Sequence, residues 1–336
     1  MRYLTLLVLI AFAVPAFARD QIRIVGSSTV FPFVAAAAEQ FGRDEQFRTP
    51  IVESTGTGGG IKMFCDGLGV DYPDMVNASR AIKSTEVEQC KANKITQITE
   101  LKIGYDGIVL ANALKSPHYP LKLEALFLAL ARKVPDGKGG LKTNGYKRWK
   151  QIDASLPDVG IEVYGPPPTS GTRDAFSELV MIEGCKKFPE YAATYTDGEV
   201  LKKECAMVRE DGAFIEAGEN DNLIVQKLSG NQHALGIFGY SFLEQNAALV
   251  KANPIDGVMP TFDDIVAGNY EVARSLYVYV KNQQQVPGLR EFATLLTSDA
   301  AVGDDGFLIM KGLLPLHHEE HNKMKMIAAE LTPMAD

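Results

Sequence analysis

The sequence is poor in several things that would narrow its function at once. Among 336 residues there are four cysteines, five histidines and one tryptophan. No Cys-x-x-Cys pair occurs, which excludes the commonest zinc and dithiol spacings. No G-x-S-x-G or G-x-G-x-x-G motif is present, so neither a nucleophile elbow nor a dinucleotide loop is spelled out. No simple repeat or heptad dominates, which sets aside collagen, coiled-coil and solenoid architectures. Basic residues are outnumbered, with 34 Lys and Arg against 42 Asp and Glu and a formal charge of -8. Broad electrostatic attraction to nucleic acid or anionic lipid is therefore excluded, and any bound anion must be held by local groups. What is present, 46% hydrophobic and 23% charged residues, suits a folded chain, and the length favours two domains.

The N-terminus reads as an export signal. Arg2 precedes an apolar run from Leu4 to Val14, followed by small residues at Ala16 and Ala18. That run is about half of what a bilayer span requires. A signal peptide over residues 1–18 is expected, with the mature protein starting near Arg19 in the periplasm. Cys65, Cys90, Cys185 and Cys205 then lie in an oxidising space, and their even number suggests two bridges. Three pairings are possible; proximity along the chain favours Cys65 with Cys90 and Cys185 with Cys205.

Short β-prone runs alternate with helical patterns, which indicates an α/β architecture with mostly parallel strands. Strands are expected near Ile22–Val25, Pro50–Glu53, Asp74–Asn77, Gly107–Ala111, Ile161–Tyr164 and Ala234–Phe238. Helices are expected near Phe33–Phe41, Ile61–Asp66, Leu123–Arg132, Thr172–Ile182 and Leu289–Thr297. Arg132–Gly145 reads as an exposed loop. Two apolar strands, Gly104–Asn112 and Ser275–Asn282, are candidates for crossings between lobes. The expected division is residues 19–106 plus 279–336 for the first lobe and 107–278 for the second.

Four segments share one design, a β-run leading through Gly, Ser and Thr towards a helix. They are Val25–Pro32 (VGSSTVFP), Glu53–Lys62 (ESTGTGGGIK), Val76–Arg80 (VNASR) and Tyr164–Asp174 (YGPPPTSGTRD). Helix N-termini carry unpaired N–H groups and partial positive charge, glycine permits close approach of amides, and hydroxyls add donors. Taken singly each segment is an ordinary cap or turn; together they describe a dehydrated oxyanion site. Arg80 and Arg173 stand beside hydroxyl residues, and an Arg fork matches a tetrahedral oxyanion.

With these marks the chain resembles the phosphate-binding proteins of bacterial phosphate ABC importers, in the two-lobed (type II) periplasmic solute-binding superfamily. The resemblance covers essentially the whole mature chain. It rests on GSSTV at 26–30, TGGG at 57–60, NASR at 77–80, YDG at 105–107, SGTR at 170–173, NDN at 220–222 and ALGIFGY at 234–240. It implies two lobes of mixed, mostly parallel sheet flanked by helices and joined by two crossing strands. Phosphate would be held by Ser28, Thr29, the Val30 amide, Thr57, Ser79, Ser170, Gly171 and Thr172, with Arg80 and Arg173 supplying charge. Inorganic phosphate and the permease subunits of an ABC importer are the implied partners, with no cofactor, no metal, no nucleic acid, no catalysis and a monomeric state. The chain departs from well-known members in carrying Arg80 where they have Asp after Ala-Ser, and Pro166 where they have Arg. The proton acceptor that rejects sulfate must then be another group, for which Asp106 is the candidate.

Other readings stay open beside this one. An exported phosphatase or phosphoryl-transfer enzyme could use the same anion cradle, and a receptor could take sulfate, molybdate or a phosphonate. His317–His321 (HHEEH) spells an inverted zinc-protease motif, but only 15 residues follow it, which suits a charged C-terminal helix better. Asn77-Ala78-Ser79 spells a glycosylation acceptor at an expected buried strand end. Trp149, Tyr277 and Tyr279 read as core residues.

Overall fold

In the first 80 residues, three β-branched runs each end in a Gly, Ser or Ala-rich turn, and each turn opens a helix or bend. The computed structural model describes residues 19–43, 46–218 and 221–335; the expected signal peptide and Asn220 lie outside them. The first part of the chain forms β1 (Arg23–Gly26), α1 (Phe31–Gly42), β2 (Ile51–Ser54), α2 (Thr57–Cys65), β3 (Met75–Ala78) and α3 (Ser84–Ala92). A long strand β4 (Ile98–Ala113) follows, then α4 (Leu123–Leu130), β5 (Lys133–Pro135) and β6 (Leu141–Thr143). The remaining strands are β7 (Val163–Gly165), β8 (Phe214–Glu216), β9 (Leu235–Gly239), β10 (Val250–Ala252) and β11 (Ala273–Lys281), and α5 (Gly171–Phe176) follows β7.

One nine-stranded sheet runs β2-β1-β3-β11-β4-β9-β7-β8, with β10 also on β4. The expected parallel pairing is found in β1 with β2 and β3, and in β7 with β8 and β9. The middle is antiparallel, because β4 and β11 run against their neighbours. β4 is the shared strand. Its first part pairs with β11 from Ile98 to Gly107, and its second part pairs with β9 from Ile108 to Ala111.

The apolar residues divide accordingly. Leu101 and Ile103 of β4 pack with α1, β11 and the helix Leu289–Leu296. On the other sheet face, Val25, Val76 and Ala78 pack against α2 and α3 through Ile61, Phe64 and Cys90. Ile108–Ala111 belong instead to a separate large core with α4, β7, β9 and Trp149. α1 illustrates how the pattern makes an element. Pro32 occupies the first turn, four alanines favour helix, and Phe33, Val34, Ala37, Ala38 and Phe41 make the buried stripe. Each fully buried aromatic or branched side chain contributes about 1.5–3 kcal/mol.

Two disulfides pair Cys65 with Cys90 and Cys185 with Cys205, the pairing that chain proximity favours. The first ties α2 to α3; the second ties the helical run after α5 to the helix Gly198–Ala206. Trp149 and Tyr279 are buried as expected, and Tyr279 stacks on Tyr277 with ring centroids 6.0 Å apart. Arg132–Gly145 corrects the expectation of a loop. Val134 is buried, β5 and β6 pair as a small hairpin, and Gly137 and Gly139 provide the left-handed turn residues between them.

Lys281, at the end of β11, is fully buried and donates to the Gly67 carbonyl at 2.6 Å. Its ammonium lies 4.7 Å from the Phe64 ring centroid. Burial pushes its pKa from 10.5 down to about 8, against the pull of Asp74. Between those values the unfolded chain binds the proton and the native protein does not, so this group makes stability rise with pH there. In urea unfolding, wild type should gain about 2–3 kcal/mol over Lys281→Met between pH 8 and 10; a pH-independent difference would contradict the assignment.

Candidate functional site

The site lies at the carboxyl ends of the parallel strands, where ligands bind in open α/β sheets. Three of the Gly/Ser/Thr segments are pressed together there by glycine. Gly26 has φ +140°, and a Cβ on it would lie 2.0 Å from the Asn77 carbonyl oxygen. A Cβ on Gly60 would lie 2.6 Å from Gly26 Cα. The Ser27 amide donates to the Asn77 carbonyl at 3.0 Å, locking the end of β1 to that of β3. Thr57, opening α2, accepts from the Ser79 amide, and its Oγ1 lies 3.1 Å from Ser79 Oγ. One hydroxyl hydrogen between those two oxygens makes their bond, which leaves the other for a ligand. Gly58 and Gly59 are exposed, with nothing within 4 Å of a Cβ on either.

The caps differ from the expected ones in a way that matters for chemistry. α1 begins after Val30 with no side-chain cap, so Thr29 does not use its hydroxyl on the helix. Instead Thr29 Oγ1 accepts a hydrogen bond from Arg274 Nη2 at 2.6 Å. Its own hydroxyl hydrogen is then directed towards the second half of the molecule, where the Gly171 carbonyl lies 3.5 Å away. The Val30 amide donates within the turn, to Ser27 Oγ at 3.4 Å. On the other side, Ser170 caps α5 by accepting from the Thr172 amide at 3.2 Å. A Cβ on Gly171 would lie 3.2 Å from Thr29 Cα, so any side chain at this position would crowd the facing half. Asp174 accepts from the Ser28 hydroxyl across the same junction.

Arg274 and Asp106 sit opposite each other in the β11–β4 register and share a sheet face. Arg274 Nε is 3.7 Å from Asp106 Oδ2, and the arginine side chain is only 8% exposed. Neither of those two atoms has a hydrogen-bond partner among the described residues. Burial raises the Asp106 pKa, and the Arg274 charge opposes the rise. A third contact carries Arg274 across the cleft, where Nη1 pairs with Glu178 of the second half. The result is a buried cation, a carboxyl of raised pKa and several hydroxyl or amide donors around one junction. Buried cationic charge beside hydroxyl and amide donors is a set that suits a small oxyanion.

Among the expected residues, Ser28, Thr29 and Gly171 meet across the halves, Asp106 joins Thr29 through Arg274, and Thr57 and Ser79 form the neighbouring pair. The two arginines are placed elsewhere. Arg80 is held bidentately by Glu86 at 2.7 and 2.8 Å, so its fork is already filled. Arg173 lies over the Phe214 ring at 4.4 Å and donates to the Pro166 carbonyl at 3.1 Å, turned away from Thr29. Adjacent helical residues point about 100° apart, and it is Asp174, not Arg173, that reaches the junction. The arginine that stands at the junction is Arg274, which the sequence motifs did not single out. In the sequence it is one of two charges in the crossing strand, at the opposite end from Lys281. The other motifs end as core or surface features. His321 is buried and its Nε2 lies 2.8 Å from the Thr297 carbonyl oxygen, while His317 packs edge-on against Phe262. No cluster of three metal-ligating side chains occurs among the described residues. Asn77 is fully buried.

Two halves sharing one continuous strand, with polar segments from both facing a common junction, define a two-lobed binding protein of the periplasmic type. Residues 13–300 match the PBP superfamily domain, and the chain belongs to that superfamily. Protein SphX of Synechococcus elongatus is 31% identical over 264 residues, covering 77% of this chain and 67% of the relative. The phosphate-binding protein PstS of Staphylococcus saprophyticus is 28% identical over 294 residues, covering 85% and 79% respectively. A solved structure of a possible phosphate binding protein from Planctomyces limnophilus superposes with a TM-score of 0.73 at 26% identity, covering 93% of this chain and 99% of that one.

The Asp106–Arg274 pair generates a titration with a definite sign. A carboxyl whose native pKa is raised lowers stability as pH climbs from 3.8 through the native value, because the native state holds the proton longer. Arg274→Gln removes the opposing charge, so the Asp106 pKa should rise further and stability at neutral pH should drop by about 3 kcal/mol. Carboxyl carbon NMR titration and urea unfolding check both, and an unmoved Asp106 resonance would break the coupling.

Proposed function

We propose that this protein is a non-enzymatic receptor that captures inorganic phosphate between its lobes and delivers it to the permease of an ABC importer. It does so as a periplasmic monomer released by removal of residues 1–18. The observation that carries the reading is the position of Arg274, buried at the junction and bonded to Thr29 and Glu178 from opposite halves beside Asp106. The names of the relatives support the ligand, since several are phosphate-binding proteins.

In this reading the lobes are residues 19–106 with the C-terminal part, and the residues from 107 onwards. The return crossing is put at Val272–Ala273, earlier than 278, because β11 is paired along its length with β4 inside the first half. Phosphate takes the Thr29 hydroxyl hydrogen in place of its long contact with the Gly171 carbonyl, a hydroxyl hydrogen from the Thr57–Ser79 pair, amides from Gly58, Gly59 and Gly171, and further donors from Ser170 and Thr172. Arg274 supplies the charge. Asp106 accepts the hydrogen of hydrogen phosphate; sulfate at neutral pH has none to give and would face the carboxylate unprotonated. Closure brings donors of both lobes onto one ion, so the ligand stabilises the closed form.

Titration calorimetry with phosphate should show Arg274→Lys weakened by about 10–100-fold, the effect of losing a charged hydrogen bond of about 1.5–3 kcal/mol. Arg173→Ala should bind within about twofold of wild type, since its guanidinium lies on Phe214. The reverse order would move the charge back to Arg173. Asp106→Asn should narrow the preference for phosphate over sulfate by at least about tenfold; an unchanged ratio in competition calorimetry would remove Asp106 from the role.

A further inference from the structure

The helical run that starts at α5 continues without a break through a wider π-helical turn, Ser177–Ile182. Two carboxylates four residues apart on this run, Asp174 and Glu178, both reach out of the second half into the first. Spacing of four places them on one face of the run. Asp174 accepts from the Ser28 hydroxyl in the turn before α1, and Glu178 pairs with Arg274 Nη1 at the start of β11. Both side chains line a cavity of about 490 Å³, together with Ser28 and Gly56 of the first half and Glu199, Lys202 and Lys203 of the second. Widened helical turns of this kind are concentrated at functional positions.

We propose that Asp174 and Glu178 form an acidic clasp that holds the lobes closed and sets how fast the ligand leaves. Glu178 is a positioning residue. It acts through Arg274, whose remaining contacts are with Thr29 and Asp106. Because Glu178 is 45% exposed while Arg274 is 8% exposed, opening the cleft frees the glutamate to water and leaves the arginine with only its own half. Water compensates the glutamate readily, so the clasp is reversible. It favours closure without locking it. The closed form is thereby populated before any ligand is bound, and the clasp governs dissociation more than association.

The part concerning release rests on the phosphate reading; the part concerning closure does not. Small-angle X-ray scattering of the ligand-free full-length mature protein should give a larger radius of gyration for Glu178→Gln than for wild type, and a larger one still with Asp174→Asn added. Stopped-flow measurement with inorganic phosphate should show the dissociation rate raised about 3–10-fold in Glu178→Gln, with the association rate changed by less than twofold. Glu178→Asp should recover part of the slow release, and it carries the same comparison if Glu178→Gln does not fold. A merely structural role would lower the melting temperature and leave both the scattering profile and the ratio of rates unchanged. Scattering identical to wild type with an unchanged dissociation rate would overturn the clasp. Absence of phosphate binding by wild type would overturn the receptor reading, while the scattering comparison would still decide closure.

Discussion

A single guanidinium ties together three elements at the junction of the two halves. Arg274 is almost wholly buried, yet it meets Asp106 on the neighbouring strand, Thr29 at the start of α1 and Glu178 on the opposite side of the cleft. A buried cation must be paired and hydrogen-bonded to be tolerated. That requirement constrains three separate elements at once. It holds the Thr29 oxygen as an acceptor, keeps a carboxyl of raised pKa beside the cleft, and gives the two halves a reason to touch.

The backbone makes this arrangement possible through close approach. Gly26 lies so near Asn77 that a side chain could not be accommodated, and Gly60 packs on Gly26 itself. These contacts stack the ends of β1 and β3 beneath the start of α2, so that hydroxyls distant in the chain become neighbours. Gly171 does the same across the cleft against Thr29. β4 supplies the continuity, since one strand contributes Leu101 and Ile103 to one core and Ile108–Ala111 to another. Two bodies with separate cores joined by a paired strand can change their relative angle with little loss of burial.

Much of this was legible beforehand, and the reasons are local. The turns after β1, β2, β3 and β7 announce themselves because glycine, hydroxyl residues and β-branched runs each have strong local preferences. Cys65 with Cys90 and Cys185 with Cys205 were favoured by short separation, which keeps each bridge within one packed unit. The two arginines are turned to other partners for an equally physical reason. Arg80 and Arg173 are adjacent in sequence to hydroxyl residues of the strand-end turns, but Glu86 and Phe214 claim them. Neighbours along a helix or a bend do not share a direction. Arg274 escaped notice because its partners Asp106 and Thr29 are far from it in sequence, and only the register of β11 against β4 brings them together.

By itself the chain determined its alternating α/β pattern, the two cystine pairs, the positions where backbone and hydroxyl donors would cluster, and the absence of any general attraction for anions. These follow from composition and from preferences that act over a few residues. Tertiary structure alone decided which charged group stands at the junction, which hydroxyls are free of capping duty, and which carboxylates span the cleft. Those depend on strand register and on the direction of side chains in a packed interface, and neither quantity is encoded in any short stretch of sequence.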